Sequence, residues 1–430
     1  MPNNIARMAG VMLASSLVVV ACTDVTALKQ ENPGQLNAAT LYVPKNAQIL
    51  VNGVMADLEC AFTRYVVGTG IFDDELANAI SASNNFDYDR RTLQTNQGYG
   101  TATCGANQQP PIYTTLSIAR ADGDTVATHL EGWSDADVPN RMKLIGQSYA
   151  YSGYSLVFLG ESMCSAAINL SREMTPAELF AEAKIRFDKA IAAATTANDA
   201  ATLNLAYLGR ARTFLDLNQP AQAGTDAARI PAGFVANTSM DAVNTRRQNF
   251  AFLATGQSFW ATIDPSYRGL TLGTGPDPRV AVSALVPARN GTAGVPIWLA
   301  DKYNTFTAPM PIAKYAEAQL IVAEASAAAG NYGAAETAIN NARNTHNTAS
   351  FTMPQYSVAG QTAAQVQAQI VEERRRELFL EGHRLGDLRR YQLAFTPASG
   401  TTYPSGGTYG TQTCFPLPDV ERINNPNIGH

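Results

Sequence analysis

The chain has 430 residues, a formal net charge of -5 and only 16% charged residues. With no basic surplus it has little to neutralise phosphates with, which argues against nucleic acid as a partner. At 46% hydrophobic residues it can bury a large core, and its length allows one large domain or about two to three ordinary ones.

The first residues read as a targeting segment. Arg7 gives a short positive start, residues 8–20 form an apolar run too short to span a bilayer comfortably, and the run ends Val19-Val20-Ala21-Cys22. This ending resembles a bacterial lipobox. Residues 1–21 then form a lipoprotein signal peptide, Cys22 is lipidated, and its acyl chains anchor the protein to a membrane. Residues 22–40 are polar, contain Asn32-Pro33-Gly34, and read as a lipid-anchored tether; residues 41–430 read as a single domain. No later stretch reaches the roughly 18 apolar residues of a membrane span. Four further cysteines remain: Cys60, Cys104, Cys164 and Cys414. In an exported chain they permit two disulfides in three connectivities, and one bridge is expected among Cys60, Cys104 and Cys164. No C-x-x-C pair points to zinc.

Residues 44–59 fit a helix, with Ile49, Val51, Val54, Met55 and Leu58 on one face. Asp73-Asp74-Glu75 follows in a loop or helix start. Adjacent carboxylates point in different directions and no D-x-D-x-D-G loop surrounds them, so a loop-fixing role is favoured over calcium ligation. Residues 81–111, rich in Asn, Gln, Gly, Thr and Tyr, read as a long loop of the kind that carries binding groups on a helical scaffold. Helical patterns then cover 113–130, 139–160, 176–194, 201–217 and 221–228. Thr175 and Glu178 make a capping-box arrangement at the third. Residues 230–311 differ, with Trp260, Tyr267, Trp298 and Tyr303 among many Gly, Pro, Thr and Asp residues. They read as a loop-rich insertion with short strands near 280–286 and 297–303. Residues 315–329 and 334–343 give another helix-turn-helix. Small residues alternate with bulky ones along these helices, as tetratricopeptide packing requires, but no unit matches the full 34-residue repeat. The expected fold is mostly α: degenerate tetratricopeptide-like helix pairs with long irregular loops and a few short strands.

The most charged stretch is residues 371–391, where five acids alternate with six arginines. Glu372 with Arg376 and Glu381 with Arg384 stand at helical spacing, beside an apolar seam of Val371, Leu378, Leu385 and Leu388. A helix is expected here, broken by Gly382 and Gly386 before a second helical turn. Balanced signs at that spacing satisfy each other. Glu373, Arg375, Glu377, Glu381, Arg384 and Asp387 are therefore expected to form a structural charge network, and not an anion or metal site.

Glu372-Glu-Arg-Arg-Arg-Glu-Leu-x-x-Glu-Gly-His-Arg-x-x-Asp-Leu-Arg-Arg390 resembles the C-terminal signature of the SusD/RagB family. Phe415-Pro-Leu-Pro418 with Glu421 and Asn425-Pro-Asn427 is similar to that family's closing motif. Lys302-Tyr303, Pro311-Ile-x-x-Tyr-Ala-Glu317 and Ala323-Glu-Ala325 resemble its central strand and helix, and Asp74-Glu75 an early acidic pair. The middle of the chain has no motif to align. Leu385 and Gly386 stand where relatives often carry bulky aromatics. The resemblance implies a surface-exposed outer-membrane lipoprotein with four tetratricopeptide-like helix pairs. Such a protein binds a nutrient, most often an oligosaccharide and sometimes a peptide, as the lid of a SusC-like TonB-dependent receptor. It also implies no enzyme activity and no cofactor. A surface tetratricopeptide scaffold for protein interaction is the alternative.

The sequence offers little catalytic machinery. Its four histidines are scattered, and H-E-x-x-H, G-x-S-x-G and G-x-x-x-x-G-K-[ST] are absent. Sugars present apolar C–H faces to aromatic rings and hydroxyls to polar side chains. The ligand-binding candidates are therefore Tyr88, Arg90, Asn96 and Tyr99 in the first long loop, and Trp260, Asp264 and Tyr267 in the insertion. Trp298 and Tyr303 are expected to be structural.

Overall fold

The computed structural model describes residues 38–105 and 108–429. Cys22, the signal peptide and nearly all of the tether lie outside the described residues. Residues 38–43 belong to a separate unit from the rest and hold one short helix, Ala38–Leu41.

The second unit is built on ten principal helices: α1 (Ala47–Phe72), α2 (Tyr113–Gly132), α3 (Arg141–Ser162), α4 (Pro176–Thr196), α5 (Ala200–Asp216), α6 (Pro220–Ala227), α7 (Tyr315–Ala328), α8 (Tyr332–Asn344), α9 (Ala363–Glu377) and α10 (Arg384–Arg390). Sequence neighbours pack together: α2 on α3, α3 on α4, α4 on α5, α7 on α8. The fold is mostly α, in helix pairs joined by irregular segments. Short strands complete it, among them β1 (Leu76–Asn78), β2 (Val235–Asn237), β3 (Ala261–Ile263), β4 (Val282–Ala284), β5 (Trp298–Ala300) and β6 (Pro311–Lys314). They form antiparallel pairs, β1 with β3, β2 with β6 and β4 with β5.

Glycine and alanine at the crossings let helices approach closely. A Cβ at Gly153 would stand 2.8 Å from the Phe187 ring, and one at Gly209 would strike the same ring. Phe187 of α4 is thus seated between α3 and α5. Small residues at closest contacts and one large ring per crossing give dense packing without forcing rotamers. A second apolar cluster joins α7, α8 and α9 through Leu320, Ile339, Val366 and Ile370. The expected capping box at Thr175 and Glu178 is present, and an equivalent one at Thr362 and Gln365 opens α9.

Several boundaries differ from the sequence reading. The first helix extends to Phe72, its second half buried on every side, polar Glu59, Thr63, Arg64 and Thr69 included, so no single apolar face marks it in the sequence. The long loop contains two short helices, Ser83–Asp89 and Gly98–Thr101. The charged helix begins at Ala363, not Val371, and its break spans residues 378–383. Gly382 supplies a left-handed φ of 74° there, whereas Gly386 lies inside α10. The disulfides are Cys60–Cys104 and Cys164–Cys414. Cys164 therefore pairs with the distant C-terminal segment.

The charged stretch is drawn into the interior. Glu373 is 1% exposed and holds both Arg279 and Arg343. Glu377 meets Lys314 at 3.0 Å and His346 at 2.9 Å, and Glu381 accepts from Lys302 and Lys314. Arg374 and Arg390 both bind Asp387. Arg384 forms a two-pronged pair with Asp74 at 2.6 and 2.7 Å. Arg375 lies over the Tyr267 ring and donates to the Ser266 carbonyl. Removing one partner of a buried pair leaves the other charge desolvated. Glu373→Ala, which strands Arg343 and leaves Arg279 with Asp277 alone, should lower unfolding free energy by about 3 kcal/mol or more in urea titrations. Arg375→Ala should cost about 1 kcal/mol, because its contacts are partly exposed.

Candidate functional site

The sequence candidates scatter over quite different environments. Tyr88, Tyr99, Trp260 and Tyr267 are each at most 1% exposed. Tyr88 donates its hydroxyl to the Pro110 carbonyl and Tyr99 to that of Pro416, and both rings pack edge-on against Phe415. Trp260 packs on Phe250, and Tyr267 stacks on Phe379. Their apolar faces are consumed by the core beneath the loops, so these four rings present no open platform to a sugar. Asn96 is exposed and lines none of the cavities described below. Trp298 is half-buried under Arg268, and Tyr303 is buried with its hydroxyl on the Leu380 carbonyl.

Asp264 is in a different position. It follows β3 and lines a cavity of about 250 Å³. One wall is the β1–β3 ribbon, with Ala77, Asn78 and Thr262. Another is the 290s loop, and the third is the C-terminal loop, with Pro397, Tyr403 and Tyr409. Asp89 and Arg268 complete its charged lining. The C-terminal loop turns back on itself between Tyr403 and Gly407, where Gly406 and Gly407 adopt positive φ. Arg90 supports that turn: it pairs with Asp87 at 2.7 Å, lies 5.7 Å from the Tyr403 ring centre and donates to the Gly406 carbonyl. Arg91 supports the other side, over Tyr409 and Phe395.

The charges around this cavity differ from those of the buried network. Asp89 Oδ2 accepts from the Asn78 amide at 2.8 Å and the Tyr403 hydroxyl at 3.2 Å. Asp264 Oδ1 accepts from the Ser266 amide at 2.8 Å. Arg268 donates Nε and Nη2 to the Ile263 carbonyl. Each is held in place by neutral groups, with hydrogen-bonding capacity left over. Burial pushes the Asp89 carboxyl up to about 7 and raises that of Asp264 as well. The cavity thus offers tyrosine and proline surface beside carboxylate and guanidinium groups, a lining suited to a polyhydroxylated ligand. Among the described residues, no cluster of three or more His, Cys, Asp or Glu could hold a metal ion.

The SusD family model matches residues 298–423, which include β5, α7 to α10, the charged network and the C-terminal loop. This match covers less than a third of the chain and supports the SusD/RagB resemblance of its C-terminal signature. Solved structures of similar fold include a SusD superfamily protein from Bacteroides fragilis, 16% identical, with a TM-score of 0.69 over 90% of this chain and 99% of that one. A SusD-like carbohydrate binding protein from Bacteroides vulgatus is 15% identical, with a TM-score of 0.64 over 90% and 97%. Surface glycan-binding protein A from Bacteroides uniformis is 15% identical, with a TM-score of 0.63 over 90% and 98%. Among curated proteins no relative matches.

The signature arginines and acids mostly pair with each other or with buried partners. The early acidic pair joins them: Asp74 binds Arg384, and Glu75 Oε1 accepts from the Leu380 amide inside the break. Sequence reasoning missed Asp89, Arg268, Tyr403 and Tyr409. The Gly-, Tyr- and Ser-rich composition of residues 396–412 was a usable signal, the same one that marked residues 81–111.

The raised carboxylates set a pH dependence. Burial brings Asp89 and Glu59 to about 7 and Glu75 to about 8. A pKa raised in the folded state means that the folded protein binds the proton more tightly. The associated stability is full below the unfolded pKa of about 4 and is lost as pH rises through 7 to 8. Glu377 acts oppositely: burial would raise it, but Lys314 and His346 hold it at about 2, so its contribution fades only in strong acid. The melting temperature should be higher at about pH 5.5 than at about pH 8.5. Asp89→Asn should narrow that gap in a pH series of thermal melts.

Proposed function

We propose that this protein is a cell-surface, lipid-anchored glycan-binding protein. It holds an oligosaccharide in the cavity between the β1–β3 ribbon and the C-terminal loop. Cys22 carries the lipid that keeps it at the outer membrane, and no described helix is long and apolar enough to cross a membrane. It acts as the lid of a SusC-like TonB-dependent receptor, delivers the glycan unchanged and needs no cofactor. The carrying observation is the cavity itself, where tyrosine and proline surface meets Asp89, Asp264 and Arg268, none of them in an ion pair among the described residues. Two proteins of the same fold described as carbohydrate- or glycan-binding support the reading.

In calorimetry against an oligosaccharide panel, at least one glycan should bind saturably. Asp264→Asn keeps the acceptor for Ser266, and Arg268→Gln removes the guanidinium charge from the lining. Each should weaken that glycan by about tenfold, equivalent to about 1.4 kcal/mol, with little change in melting temperature. Undiminished binding by both variants would place the glycan elsewhere. Affinity purification from solubilised outer membranes should also recover a large β-barrel receptor, and its absence would remove the transporter partnership.

A further inference from the structure

A second cavity, about 560 Å³, lies where the C-terminal ends of α3 and α5 meet the first turn of α4 and the side of α10. Four charged side chains line it, and among the described residues only Arg390 forms ion pairs. Glu161 Oε2 accepts from the Tyr65 hydroxyl at 2.9 Å, and Arg390 is held by Glu324 and Asp387. Arg389 and Asp216 likewise form no ion pair among the described residues, and neither has the neutral partner that Glu161 finds in Tyr65. Arg389 donates Nη1 to the carbonyls of Gly160, Glu161 and Met163 at 3.1, 2.6 and 3.2 Å, and it forms no ion pair. The three carbonyls fix the guanidinium plane but neutralise no charge, leaving Nε and Nη2 uncommitted. Asp216 Oδ2 is buried without a hydrogen-bond partner. Burial pushes the Asp216 carboxyl up to about 7, even with Arg390 and Arg212 nearby.

An unpaired cation and an unpaired carboxylate therefore share one cavity without meeting. Desolvating such groups is costly unless something completes them. A neutral sugar would leave both charges standing. A dicarboxylate would meet Asp216, and a diamine would meet Arg389. A ligand with one charge of each sign complements both. Phe180 and Leu215 supply an apolar wall beside these groups, and Gln392 stands at the exposed rim.

We propose that this cavity is a separate binding site for a free α-amino acid, with its carboxylate on Arg389 and its ammonium on Asp216. The fork of Arg389, pinned from behind at Nη1, presents its remaining N–H groups to a planar carboxylate. The side chain of the amino acid lies along Phe180 and Leu215, which favours apolar members.

Calorimetry on the purified protein tests this with glycine, L-leucine and L-phenylalanine, using N-acetyl-L-leucine and L-leucinamide as single-charge controls. Saturable one-to-one binding is expected for leucine or phenylalanine, with each control at least about tenfold weaker. Asp216→Asn should weaken the bound amino acid by about tenfold. Gln392→Trp, which narrows the mouth from an exposed position, should weaken it as well and serves as the test if Asp216→Asn fails to fold. No binding by any of the three amino acids overturns the proposal. Equal binding of the capped controls, or full affinity in a folded Asp216→Asn or Gln392→Trp protein, overturns it too.

Discussion

The structure depends on the break between α9 and α10. Residues 378–383 leave helical geometry inside the protein, where peptide groups have no water to turn to, so other elements must satisfy them. Glu75 accepts from the Leu380 amide, Tyr303 donates to the Leu380 carbonyl, and Lys302 donates to that of Phe379. Gly382 stands against the Tyr65 ring, where a Cβ would come within 2.8 Å. The end of α1, the segment after β5 and the C-terminal charged helix are thereby fixed to one another at a single point. The flanking ion pairs, Arg384 with Asp74 and Glu381 with Lys302 and Lys314, fasten the same three parts.

That constraint explains why so many charges are buried in a chain with so few. A buried ion pair is not a strong source of stability compared with apolar packing of the same volume. What it supplies is directionality. Arg374 reaches Asp387 across the break, and Arg279 reaches Glu373 from the insertion. Shifting α9 by one residue would turn these groups away from their partners and leave charges stranded. The network selects one register for the C-terminal segment, which in turn delivers Cys414 to Cys164 and Phe415 to the core formed by Phe72, Tyr88 and Tyr99.

Helical periodicity and punctuation were legible in the sequence because they are local. The helices from Tyr113 to Ala227 appear within a few residues of their expected bounds, and the Thr175 capping box is a four-residue pattern. The balanced signs in residues 371–391 marked a charge network but not its partners: Glu381 pairs with Lys302 and Lys314 and Arg384 with Asp74, not with each other, because the partners come from distant parts of the chain. Most of the candidate site could not be read, because burial of an aromatic ring is not a local property. Tyr99 and Tyr409 stand in similarly Gly-rich sequence, yet Tyr99 falls in a short helix and packs on Phe415 whereas Tyr409 borders the cavity. The Cys164–Cys414 bridge was hidden for the same reason: its two ends are 250 residues apart.

The two cavities and the network use the same residue types to different ends, and the deciding variable is what each charge faces. Where an arginine meets a carboxylate across two secondary-structure elements, as at Arg384 and Asp74, the interaction is closed and the pair holds the fold. Where an arginine is held by backbone carbonyls alone, its orientation is fixed while its charge stays open, as for Arg268 on Ile263 and Arg389 on the end of α3. Asp264 and Asp216 are the carboxylate counterparts, the first held by the Ser266 amide and the second with a buried oxygen that accepts no hydrogen bond among the described residues. A fixed but uncompensated group is pre-organised for a ligand, since little ordering remains when the ligand arrives. The C-terminal scaffold therefore closes its own charges where it needs rigidity, and it leaves open ones beside cavities large enough to be filled.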